Sequence, residues 1–303
     1  MFSVNNIYRR LESYLSTHTV WNNTYGFARS TIAFGSLITL IFNHSSILFR
    51  PHIGLLEVPS CSDINSFSLY CLFSNNLELA RFISIGCLVL VVIGWRPRVT
   101  GILHWYVTFS LSATATVLDG GDHIATILTF LLLPICLTDK RIWHWSQSQT
   151  EPNNLIFLIS GTVAVSASMI IRLQMCLVYL HAASAKLSVA EWQDGTATYY
   201  WFTHPTFGIS NSLLPFFLPL LQNGVIITTI TWGTIILELL LFTGILATRG
   251  ARKKMFYLGI AFHFSIILVH GLFSFFFSML GGLILYLLPL NEQISYSKNK
   301  TIN

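Results

Sequence analysis

Eight apolar runs dominate this sequence, at about 27–49, 78–95, 100–118, 123–138, 155–181, 224–247, 255–270 and 272–290. A helix needs roughly 20 residues to cross the hydrocarbon core, and in lipid its backbone amides must be satisfied within the helix itself. The runs therefore commit the chain to an all-α fold, a polytopic membrane helical bundle of about eight transmembrane helices in a single domain covering 1–303. Only 10% of residues are charged against 53% hydrophobic, too few charges to coat a soluble surface of this size. The first 20 residues contain Arg9, Arg10 and Glu12 but no apolar stretch ending in small residues, so no cleavable signal is expected and the first span does the targeting.

The cations set the orientation. With the N-terminus inside, the inner segments hold Arg9, Arg10, Arg96, Arg98, Lys140, Arg141, Arg249, Arg252, Lys253, Lys254, Lys298 and Lys300, and the outer segments hold only Arg50 and Lys186. The positive-inside rule then places both termini in the cytoplasm. The net charge of +5 is dispersed at helix ends, which argues for lipid headgroups and against a nucleic-acid partner.

Two long outer loops follow, 50–77 and 182–223. The second carries Pro205, Gly208, Pro215 and Pro219 and reads as a re-entrant or surface helix-and-loop element, not a further span. The first contains Cys61 and Cys71 in "CSDINSFSLYC". An oxidising exterior favours a disulfide between them, with zinc binding as the rival. Cys87, Cys136 and Cys176 fall within spans as small apolar residues.

Polar groups in the bilayer need a partner or a role. Arg29 and Arg81, near span ends, read as snorkelling side chains. Arg172 and Glu238 lie deeper, and their simplest use is a buried pair holding spans five and six together. His123 follows the outer turn "DGGD", where it can stay neutral and meet a ligand from the outer leaflet; Asp119 and Asp122 beside it also suit an N-cap. Lys186 sits in "HAASAKL", among small and apolar residues whose low polarity disfavours the ammonium and would make a usable base; on local sequence alone the simpler reading is an interfacial lysine snorkelling to headgroups. His181 precedes it by five residues, about 140° around a helix. His263 and His270 can equally be interhelical donors. No nucleophile elbow, phosphate-binding glycine loop or zincin helix is present in the sequence.

The stretch "YLHAASAKLSVAEWQDGTATYYWF" resembles the HTTM superfamily, the membrane region shared with vitamin K-dependent γ-carboxylase. The resemblance rests on Lys186, Leu187, Trp192, Asp194, Gly195, Tyr199 and Tyr200. It implies a proton-abstracting role for Lys186 and contact with a reduced quinone for His123, and it places His263 at the superfamily's histidine-containing helix. Over nearly the whole length, with the outer loop "PSCSDINSFSLYCLF", the chain is similar to the sporulation-delaying protein B (SdpB) family.

That family implies a bacterial cytoplasmic-membrane protein which, with a small SdpA-like partner, matures a secreted precursor into a peptide toxin. The expected site therefore has Lys186 and His123 as catalytic groups. Trp192, Tyr199, Tyr200, His181, His263 and Asp122 wall the pocket, Arg172 and Glu238 support it, and a reduced, menaquinone-like quinone is the candidate cofactor. Two rivals stand beside it: a non-catalytic scaffold, export or immunity partner, and a quinone-dependent membrane oxidoreductase or carboxylase-like enzyme.

Overall fold

Asn22, Asn76, Asp119, Asn223 and Thr248 each stand just before a long helix and accept hydrogen bonds from its first exposed amides. Capping residues between apolar runs thus punctuate the chain into helices. The computed structural model describes residues 4–17, 19–51, 58–146 and 155–289, among which every regular element is helical. The helices are α1 (Val4–Thr17), α2 (Asn23–Phe42), α3 (Ser45–Leu48), α4 (Leu69–Leu72), α5 (Leu77–Val92), α6 (Pro97–Thr114) and α7 (Gly120–Thr138). After them come α8 (Leu155–Lys186), α9 (Ala190–Gln193), α10 (Ala197–Phe202), α11 (Leu214–Leu221), α12 (Gly224–Phe242), α13 (Arg249–His270) and α14 (Phe273–Leu287). Each apolar run coincides with one long helix. Four stretches, Asn23–Phe42, Gly120–Thr138, Leu155–Lys186 and Gly224–Ile245, are long and apolar enough to cross a bilayer, and the protein is a membrane protein. Arg9, Arg10, Lys298 and Lys300, four of the cations used for orientation, have side chains outside the described residues.

Helix α2 is the hub. One side joins Ala33, Leu37 and Leu40 to Leu88 of α5 and Leu111 of α6. The other puts Ile32 in the larger core with Leu128 of α7, Met175 of α8 and Leu283 of α14. Its approach to α14 is close because Gly281 faces Ile32 and the Ala28 carbonyl, where a Cβ would overlap both. Small residues at such crossings replace the hydrophobic drive that lipid removes.

Arg29 and Arg81 correct the snorkelling expectation. Arg29 is fully buried; one guanidinium nitrogen donates to Thr100 Oγ1, and another lies 3.3 Å from His144 Nδ1. Arg81 is buried too, bonding Glu78 at 2.7 Å and the Leu40 carbonyl. Both find partners 41 to 115 residues away or one helical turn back, which spares them the reach to headgroups. His144 lies in the short connection after α7, where Asp139 pairs with Arg141 at 2.7 Å. Its ring bonds Ser30, and burial, with Arg29 and Arg141 adding to it, pushes its pKa down to about 2.

At the opposite end, Cys61 and Cys71 are disulfide-bonded, which removes the zinc alternative. The 182–223 segment forms the short helices α9, α10 and α11, as its prolines implied. α10 is fixed to α12 by a 2.6 Å bond between the Thr198 and Thr231 hydroxyls.

Two outcomes test this frame. Reducing the Cys61–Cys71 bond, or replacing both cysteines by serine, should lower stability by about 2–3 kcal/mol, read from unfolding with and without reductant. The buried neutral His144 imposes an acid limit: the unfolded chain takes up a proton near pH 6.5 that the folded chain refuses until about pH 2. Stability is therefore complete above pH 6.5 and declines as pH falls below it. The unfolding midpoint of His144→Gln should fall less steeply between pH 7 and 5 than that of the wild type.

Candidate functional site

Lys186 ends α8 and Glu238 lies four residues before the end of α12, and the packing of these helices brings the two side chains together. The Lys186 ammonium donates to both Glu238 oxygens, at 2.7 and 2.9 Å, and to the Ala182 carbonyl at 3.4 Å. It also stands 5.2 Å from the centre of the Trp192 ring, whose face attracts a cation. The carboxylate is the more buried partner, 7% exposed against 22% for the lysine. The expected Arg172–Glu238 pair is not formed. Arg172 is 14 residues before Lys186 on α8, about 21 Å along the helix, and bonds the Leu288 carbonyl instead.

The pair lies in the wall of a cavity of about 950 Å³ between α8, α10, α12, α13 and α14. The turn after α9 shapes one side: Gly195, at φ +85°, takes a left-handed conformation that a side chain disfavours, and Asp194 caps the Thr196 amide. α10 then directs Thr198, Trp201 and Phe202 into the cavity. Those positions follow the i, i+3, i+4 spacing of one helix face, so Tyr199 and Tyr200 fall outside it, stacked edge to face on each other. Farther out, Phe202, Ile209, Leu221, Ile227 and Val269 pack together, and His270 bonds the Phe207 carbonyl, tying the loop to α13.

A second polar pair faces the same space. Tyr179 OH and His263 Nε2 share a 3.0 Å hydrogen bond, and both residues are buried. His263 Nδ1 is buried with no partner among the described residues. An imidazole with one nitrogen fixed and the other uncommitted can meet a ligand.

Of the residues singled out in the sequence, the structure thus gathers Lys186, Glu238, Trp192, His181 and His263 around one cavity. It does not bring His123 there: that side chain is exposed and lies 3.1 Å from Ser112 of α6. Asp122 is buried beside the cavity's edge in a reciprocal capping box with Asp119, which Ser274 also bonds. Tyr179, Trp201 and Phe202 were not singled out. Tyr179 was legible, since it precedes Lys186 by seven residues, two helical turns, on nearly the same face. Among the described residues no group of three or more His, Cys, Asp or Glu could hold a metal ion.

The chain is 38% identical over 292 residues to the sporulation-delaying protein SdpB of Bacillus subtilis (strain 168), covering 95% of its own length and 88% of the relative's. The chain belongs to the SdpB family. It is also 40% identical over 280 residues, 91% of its length and 89% of the relative's, to the Bacillus subtilis protein YitO. No family model matches this SdpB-family chain, and no solved structure matches it significantly.

Removing one partner of the central pair should cost more than removing both. Lys186→Met leaves the buried Glu238 without its counter-charge, at a cost of about 3 kcal/mol, whereas Lys186→Met with Glu238→Leu should recover most of it. Unfolding of the single and double variants in detergent measures the difference.

Proposed function

We propose that this protein is the membrane-embedded enzyme of a toxin-peptide maturation system, acting on a secreted precursor with a small SdpA-like partner. Membership of a family named for sporulation delay supports the setting. In this reading all eight long helices cross the bacterial cytoplasmic membrane, both termini are cytoplasmic, and the cavity opens toward the cell exterior.

The observation that carries the reading is the Lys186–Glu238 pair beside Tyr179–His263 in one apolar cavity. A lysine held as an ammonium cannot accept a proton. In this reading one proton passes along the 2.7 Å bond from Lys186 to Glu238, leaving a neutral amine and a neutral acid. The amine then acts as a general base and becomes an ammonium again on taking the substrate's proton, and the protonated Glu238 gives its proton to the departing product or to solvent, which restores the ion pair. His263 orients the reacting carbonyl or hydroxyl through Nδ1, the part first given to His123. Trp192, Trp201 and Phe202 exclude water from the pair.

A reduced quinone also suits the aromatic lining and the uncommitted His263 Nδ1. Phe202, Trp201 and His263 would hold it, and it would supply electrons; organic extraction of the purified protein and mass spectrometry detect it.

Variants Lys186→Met, Glu238→Gln and His263→Ala, each confirmed to insert, are assayed for precursor maturation. A base that acts in the reaction contributes about a hundredfold or more, so Lys186→Met should drop the rate by that factor. Full maturation by Lys186→Met and His263→Ala overturns the assignment. Purified protein with its partner in defined lipid should process the precursor; if processing needs an added protease, the protein is a scaffold.

A further inference from the structure

At the end of α12 away from the Lys186 loop, where Gly244 of the 243–248 turn packs against Leu287, two arginines lie within electrostatic range of each other and neither has a counter-charge among the described residues. Arg172 of α8 donates through Nη2 to the Leu288 carbonyl, and its Nε is buried with no hydrogen-bond partner among the described residues. Arg252, on the first turn of α13, donates through Nε to the Ala247 carbonyl and lies close enough for its charge to bear on Arg172. Among the described residues neither arginine forms an ion pair.

The described helices that frame the pair offer no counter-charge, Glu12 of α1 forms no ion pair with either arginine, and Glu151 and Glu292 lie outside the described residues. α8, α13, α14 and the 243–248 turn contain no Asp or Glu, and the one carboxylate of α12, Glu238, is consumed by Lys186. The neighbouring carbonyls are bridged by uncharged groups: Tyr286 OH donates to Leu241 and Phe242, and Cys176 Sγ to Phe242. Tyr14 of α1 also lies near Arg172, so the arginine sits where α1, α8, α13 and α14 converge. Lys253 and Lys254 follow on the exposed side of α13.

Each guanidinium carries five N–H donors in a planar fork, and one bond each, to the Leu288 and Ala247 carbonyls, is what the described residues supply. Two partly desolvated like charges repel unless an anion lies between them, and basic pockets between helices at a membrane face take phosphate headgroups. We propose that Arg172 and Arg252 form a binding site for the phosphate of an anionic phospholipid, seated between α8, the start of α13 and the end of α14. The acyl chains would run along the apolar faces of α8 and α13, where Met169, Leu173, Leu258 and Tyr257 are exposed. The site is about 21 Å along α8 from Lys186 and does not depend on the reading of the cavity.

Purified full-length protein in uncharged detergent is unfolded thermally with phosphatidylglycerol, with phosphatidylcholine or with inorganic phosphate. Phosphatidylglycerol should raise Tm by a few degrees at saturation, and the other two should not. Arg172→Gln and Arg252→Gln should each weaken the lipid effect about tenfold, the worth of one charge-assisted contact. Lys253→Gln with Lys254→Gln should leave it in place.

Equal shifts with both lipids, or equal loss in the lysine variant, overturn the proposal in favour of general surface attraction. A shift with inorganic phosphate alone overturns the lipid assignment and gives the site to a soluble anion. If Arg172→Gln fails to insert, Arg252→Gln decides, because its side chain is tied to the fold only through the Ala247 carbonyl.

Discussion

A charge that leaves water must find its counter-group inside the bundle, and in this protein the Lys186–Glu238 pair meets that requirement by joining α8 to α12, while Arg81–Glu78 lies within α5 and Arg141–Asp139 within one loop. The pairs Lys186–Glu238, Arg81–Glu78 and Arg141–Asp139 each hold a contact of 2.7 Å, and each has a partner that is largely buried. Arg29 is met instead by neutral groups, Thr100 and His144, which keeps His144 uncharged, and Arg172 and Arg252 likewise meet only carbonyls among the described residues. Such contacts contribute less to net stability than their Coulomb energy suggests, since each ion was first desolvated. Their effect lies in exclusion: a register that separates Lys186 from Glu238 leaves two unmatched charges in lipid.

The same rule links fold to site. α12 meets α8 near its C-terminal end through Glu238, while α10 and the following loop pack against the N-terminal half of α12 and the C-terminal end of α13. What remains beneath that loop is the aromatic cavity, whose polar lining includes the ion pair, the tyrosine–histidine pair, Gln174, His181 and Thr198. A low-polarity pocket with few, fixed polar groups is the setting in which a lysine can act as a base.

Much of this was readable in the chain. The eight apolar runs, the capping residues before five of the long helices and the paired cysteines each act locally, the disulfide across a sequence separation of 10. Lys186, Trp192 and His263 were visible as misplaced polarity or as a motif, and all three line the cavity. The errors share one form. Glu238 was given Arg172 in place of Lys186, Arg29 was sent to the headgroups, and His123 was set opposite Lys186, when it lies beside Ser112.

By itself the sequence determined that this chain is a helical membrane protein, where its helices begin, and which residues are too polar to lie in lipid unaccompanied. Those properties depend on hydropathy, helix length and capping, all of which act within a few turns of one segment. Only the tertiary structure decided who accompanies whom. Partners such as Lys186 and Glu238 are 52 residues apart, and their meeting depends on the tilt and rotation of whole helices, which small residues such as Gly281 set at distant crossings.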